Sequence, residues 1–186
     1  MKNILKTWKS YITENNDALE RYRNSLDFNE EGEVQLYHVS KSADLSDLDP
    51  SVAAGQRQGF SKQEFRTWDR PRVFFFTRLG QEDPGVGKMR GVGYVASVDP
   101  GKLYPVHEDP LFLAAPDKVA DFRKIKGIDY PGHPAELNIY ERVATLADSM
   151  GYKGFIYAHA GDPNNAIAVL WEKVSVKKLD KPFYNS

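Results

Sequence analysis

The chain has 186 residues, 21.1 kDa, 41% hydrophobic and 27% charged residues and a net charge of −1, so it has room for one full core and is too apolar to be disordered. Its near-neutral charge gives no reason to expect nucleic acid or an anionic membrane as partner, and the absence of cysteine excludes disulfides, thiol nucleophiles and thiolate metal sites. No apolar run approaches the roughly 18 residues of a membrane span and the amino terminus lacks the apolar core of a secretory signal, so a cytoplasmic protein is expected.

From the amino terminus, residues 2 to 27 read as helical, with Ile4, Leu5, Trp8, Tyr11 and Ile12 on one face. Asp17 and Glu20 form a capping-box pattern for a second helix carrying Leu19, Tyr22 and Leu26. Residues 1 to 30 are therefore expected to be a helical appendage, whose apolar stripe needs the domain surface or another protein to cover it. The acidic stretch from Asn29 to Glu33 reads as a linker to the main domain, residues 34 to 186.

Val34 to Val39 is the first expected strand, and Ser42 to Pro50 an expected loop or short turn. Between Ser51 and Asp69 no period extends far enough to define an element. Val73 to Thr77 is a strand by composition, Gly80 to Gly91 a loop, and Gly93 to Val98 a strand that Leu103 to Val106 is expected to continue after the turn Asp99-Pro100-Gly101. A short helix is expected over Asp117 to Lys126, stopped by Gly127, and the clearest helix after His133-Pro134, ending before Gly151. Strands Gly154 to Ala158 and Ala166 to Trp171 flank a turn and predict a hairpin, followed by a short strand from Val174 to Val176. Strands, then helices, then strands argue for an α+β domain on a largely antiparallel sheet.

The chemistry-bearing features lie in that sheet. His38 ends an apolar strand beside Tyr37, with Ser40 two residues on and so on the same face. Residues 57 to 90 hold eight basic side chains, Arg57 and Arg72 among them, against four acidic ones; this local excess suits a pyrophosphate, whose oxygens an arginine fork matches. His107, His133 and His159 lack metal-ligand spacing, so no metal is expected, and there is no phosphate-binding glycine loop or nucleophile elbow.

Four segments in order resemble the motifs of the ADP-ribosyltransferase-like fold, in the branch that holds poly-ADP-ribose polymerases, RNA 2'-phosphotransferases and rifampin ADP-ribosyltransferases. They are Leu36-Tyr37-His38-Val39-Ser40, Arg72-Val73-Phe74-Phe75-Phe76-Thr77, the strand from Gly93 to Pro100, and the pair running from Gly151 to Leu170. The resemblance covers roughly residues 34 to 180. It implies a split, largely antiparallel sheet, NAD as cofactor, and mono-ADP-ribosyl transfer to a protein or other macromolecular acceptor. It also implies roles: His38 holds the adenosine ribose with help from Tyr37 and Ser40, and Phe75 or Phe76 stacks on nicotinamide beside Thr77. Breaking the bond from nicotinamide to ribose passes through an oxocarbenium-like state, so the family places a glutamate at or just before the strand that here reads Asn165 to Trp171. Asn165 could hold a hydroxyl there but cannot act as a base. Asp162 in the preceding turn and Glu172 at the strand end are the candidate replacements; Glu172 lies about 20 Å along the strand by its rise, which favours Asp162.

Two function classes follow from the resemblance: an NAD-dependent transferase, or a binding or virion structural protein that keeps the fold without its glutamate. Ile12-Thr13-Glu14 resembles the tripeptide cut by tailed-phage head proteases, which implies delivery to a host cytosol and contact with virion or capsid proteins through the amino-terminal helix.

Overall fold

In a computed structural model, residues 24, 26–55, 70–82, 87–133, 136, 138–158 and 165–184 are described. The amino-terminal helical reading up to residue 23, Arg57 and Asp162 lie outside these residues; at its described end, residues 24, 26 and 27, that reading is overturned, because the chain is turn and bend and Asp27 pairs with Gln35 in the sheet. Among the described residues ten strands follow in chain order: β1 (Asp27–Phe28), β2 (Val34–Ser40), β3 (Asp47–Leu48), β4 (Val73–Phe76), β5 (Val92–Val98), β6 (Leu103–Pro105), β7 (Gly154–Ala158), β8 (Ala166–Leu170), β9 (Val174–Ser175) and β10 (Lys177–Lys178). Helix α1 (Pro50–Gly55) follows β3, while α2 (Val119–Lys126) and α3 (Ile139–Ser149) lie between β6 and β7.

The main sheet has the order β10-β5-β2-β4-β8-β7-β6, with β1 paired to β2 outside that path. Its pairs are antiparallel apart from β6 with β7, and β3 pairs with β9 in a separate two-stranded ladder. The protein is thus a mixed α and β fold on a mostly antiparallel sheet. Among the described residues no helix is long and apolar enough to cross a membrane.

Because successive strand residues point to opposite faces, the sheet buries two apolar layers. One holds Tyr37, Val39, Phe76, Phe155, Ile167 and Val169 against Val143, Ala144, Leu146 and Ala147 of α3, and Phe183 of the tail joins it. The other holds Val34, Leu36, Phe75, Tyr94, Ala166 and Ala168, packed against Leu45 and Leu48 from the segment after β2 and against Val174 and Val176. Helix α3 starts where the Asn138 side chain accepts hydrogen bonds from the Tyr140 and Glu141 amides, and α2 ends at Gly127, whose φ of 66° is the left-handed conformation glycine adopts without strain.

Four further expectations change. The stretch read as a linker is a hairpin turn: Asn29 and Glu33 are bonded through backbone and side chains, and β1 places Asp27 opposite Gln35, inside the sheet. The stretch from Ser42 to Pro50 contains β3, which two residues could form only because β9 supplies a partner. Helix α1 begins at Pro50, in a region without readable period. Finally, β6 does not continue β5. A short 3-10 turn, Pro100–Lys102, capped by the Asp99 side chain, redirects the chain to the far edge of the sheet beside β7.

Candidate functional site

Strand β2 carries His38 between two unlike neighbours. On one side β5 pairs with it along its whole length, His38 lying opposite Tyr94. On the other side the ladder to β4 consists of the single pair Tyr37 and Phe76, so the two strands part at His38. The Phe74 carbonyl facing this gap is bonded by the imidazole instead: His38 Nδ1 lies 2.9 Å from it. A carbonyl oxygen only accepts, so Nδ1 carries the proton, and the neutral ring presents Nε2 as an acceptor. Burial pushes the His38 pKa below its ordinary 6.5, against the raising effect of the Phe74 hydrogen bond, and therefore favours that neutral form.

The Phe75 ring lies 5.7 Å from the His38 ring, tilted by 59°. Phe75 in turn pairs with Ala168 of β8, and Ala168 with Ile156 of β7. The strands of the four sequence motifs, β2, β4, β5 and the pair β7 and β8, are consecutive in the sheet in the order β5-β2-β4-β8-β7. Ser40 shares the His38 face, and its Oγ accepts the Ser42 amide at 3.2 Å.

Strand alternation separates the other sequence candidates from this face. Tyr37 and Phe76 point to the helix side, where Phe183 stacks on Phe76 at 5.4 Å and lies 6.0 Å from Tyr37, and the Tyr37 hydroxyl bonds Asp27. Of the two phenylalanines offered for stacking, only Phe75 accompanies His38. Arg72 also takes the helix side, with its guanidinium 5.4 Å from the Phe74 ring centroid and Nη1 donating to the Arg70 carbonyl. Neither Tyr37, Phe76 nor Arg72 is brought to His38, because each is an odd number of residues from a position on the opposite face.

Thr77 is fully buried and works inside the protein. Its hydroxyl donates to the Ala166 carbonyl at 3.0 Å, and Gln81 Nε2 donates to the same oxygen at 2.9 Å while Gln81 Oε1 accepts the Thr77 amide. This grip fixes the start of β8, directly after Asn165. Glu172 lies past the opposite end of β8 in an exposed ion pair with Lys153, away from Asn165.

Two residues that sequence reasoning passed over matter here. Gln81 sits in a loop with no readable period, so nothing marked it. Tyr94 was visible as a tyrosine in an apolar strand, and a buried tyrosine hydroxyl calls for a partner; it donates to the Ser42 carbonyl at 2.8 Å and accepts the Leu45 amide at 3.3 Å. Among the described residues no group of three or more histidine or carboxylate side chains could hold a metal ion. The described face offers an imidazole acceptor and a hydroxyl, which suits a ligand with sugar hydroxyls, while Phe75, 1% exposed, is buried in the apolar layer beside them and is not open to stack on a ligand ring as the resemblance implies. Comparison of the chain with protein-family models, curated proteins and solved structures found no match.

Proposed function

We propose that the protein binds NAD on the His38 face and transfers ADP-ribose to a macromolecular acceptor. The single observation that carries this reading is the state of His38: an imidazole at a parting of two strands, its Nδ1 proton committed to the Phe74 carbonyl, its Nε2 left as an acceptor beside the Phe75 ring. A ribose hydroxyl is a natural donor to such a nitrogen. The adjacency of β2, β4 and β8 supports the same reading, since the motifs are remote in sequence and meet only through the sheet. His38 then binds and orients. The carboxylate that would stabilise the oxocarbenium-like state and activate the acceptor is assigned to Asp162.

A second reading, a binding protein without turnover, draws on β8 itself. Its side chains on the His38 face are Ala166, Ala168 and Leu170, none of which can take a proton or offset a cation. Calorimetry with NAD on the wild type and His38→Ala, followed by transfer of labelled NAD to lysate proteins, decides between them. Binding lost in His38→Ala with label transferred supports the transferase, and binding without transfer or NAD hydrolysis supports the second reading. No binding at millimolar NAD removes the transferase.

A further inference from the structure

We propose that Tyr94 is a positioning residue whose hydroxyl holds the backbone of Ser42 and Leu45 over the His38 face, making that segment a wall of the ligand site. The inference rests on the NAD reading and adds the element that sets its affinity. Tyr94 is the cross-strand partner of His38 on β5, across β2 from the β4 strand that carries Phe75, and it is completely buried. The chain leaving β2 must turn back across this ring, because the Tyr94 hydroxyl both donates to the Ser42 carbonyl and accepts the Leu45 amide. A ligand group on His38 Nε2 therefore meets the tethered residues 42–45 as its wall.

The far end of this segment is fastened independently. Val176 donates its amide to the Ser46 carbonyl at 3.0 Å, β3 pairs with β9, and Lys173 meets the Asp47 carboxylate at 3.2 Å. Removing the Tyr94 hydroxyl thus slackens residues 42–45 while leaving residues 46–48 on β9 and the aromatic ring in its layer. A positioning role predicts a loss of affinity, since a mobile wall must be ordered on binding, without a change in the step that breaks the nicotinamide bond.

The test uses the full chain, with NAD and ADP-ribose as probes. Tyr94→Phe is expected to unfold cooperatively, to exchange the Leu45 amide faster, and to bind both probes about tenfold more weakly, the effect of one to two hydrogen bonds. If the wild type turns NAD over, kcat is expected to stay within about twofold while KM rises. A second variant, two glycines inserted after Ala43, leaves the Tyr94 ring and hydroxyl untouched and is expected to weaken binding similarly, which keeps the test open should Tyr94→Phe fold poorly. Wild-type affinity in a Tyr94→Phe protein whose Leu45 amide exchanges faster would overturn the proposal, as would unchanged exchange. If the wild type binds neither probe, the NAD reading falls and takes this inference with it.

Discussion

The grip on β8 can be measured through its redundancy. The Ala166 carbonyl accepts two donors, Thr77 Oγ1 at 3.0 Å and Gln81 Nε2 at 2.9 Å, inside a region with Thr77 at 0% and Gln81 at 8% exposure. Thr77→Val keeps the side-chain shape and removes one donor; the carbonyl keeps the other, so the cost is that of one hydrogen bond, about 1 kcal/mol. Gln81→Ala removes the second donor and also the Oε1 that accepts the Thr77 amide at 3.1 Å, so two hydrogen bonds are lost and it costs about 2 kcal/mol. The 3.5 Å contact between the Thr77 hydroxyl and Gln81 Oε1 adds little, because the hydroxyl has one proton and the Ala166 carbonyl is closer. In the double variant the carbonyl loses both donors at once. Destabilisation is then expected to exceed the sum of the single changes by about 1 kcal/mol. Urea unfolding of the four proteins, read at constant m-value, supplies the cycle. Additivity within about 0.3–0.5 kcal/mol would refute the shared-acceptor account.

Acidification should expose the neutral state of His38. Its folded pKa lies below the unfolded value near 6.5, so as pH falls through and below 6.5 the unfolded chain takes up the proton first and stability drops; His38→Gln should flatten that part of the profile, and NAD affinity should weaken in the same window. Unchanged pH profiles of stability in the variant would contradict the burial argument. For Gly154→Ala, a Cβ would stand 2.4 Å from the Val169 carbonyl oxygen, backbone against backbone, so a loss of about 2–3 kcal/mol in urea unfolding is expected and an unchanged midpoint would be inconsistent with the β7–β8 register. A chain beginning at residue 34 should melt several degrees below one beginning at residue 24, since it lacks the Asp27 bonds to Thr77, Leu79 and Tyr37; equal melting temperatures would mean β1 adds nothing. Glu172→Gln should leave NAD affinity unchanged in calorimetry, because that carboxylate is exposed and paired with Lys153; a loss of binding would bring it back to the site.

The parts of the fold readable in the sequence are those whose pattern is local. Val34 to Val39, Val73 to Phe76, Gly93 to Val98 and the β7–β8 hairpin show apolar runs bounded by turn residues, and Gly127 stops α2 by its own geometry. What escaped depends on partners far along the chain. Two-residue strands such as β3 and β9 exist only through each other, and β6 lies beside β7 for reasons no residue near Leu103 encodes. In the site, nearness in sequence misled where alternation should have ruled. Tyr37 adjoins His38 and Phe76 adjoins Phe75, yet both point to the helix side, whereas Tyr94 and Gln81 reach the site through the sheet.

The β4–β8 ladder also says when this site comes into being. Phe75 and Ala168 are about 90 residues apart, and α2, α3 and β7 all lie in the loop their pairing closes. Such a closure carries a large entropy cost before its contacts repay it, so it is expected late in folding, after the β2–β5 pairing and the local helices. Because β4 also supplies the carbonyl that holds the His38 proton, an intermediate without β4 in place has no defined tautomer at His38. Ligand binding would then report completed folding, and a strong ligand would act as a trap for the last step of assembly.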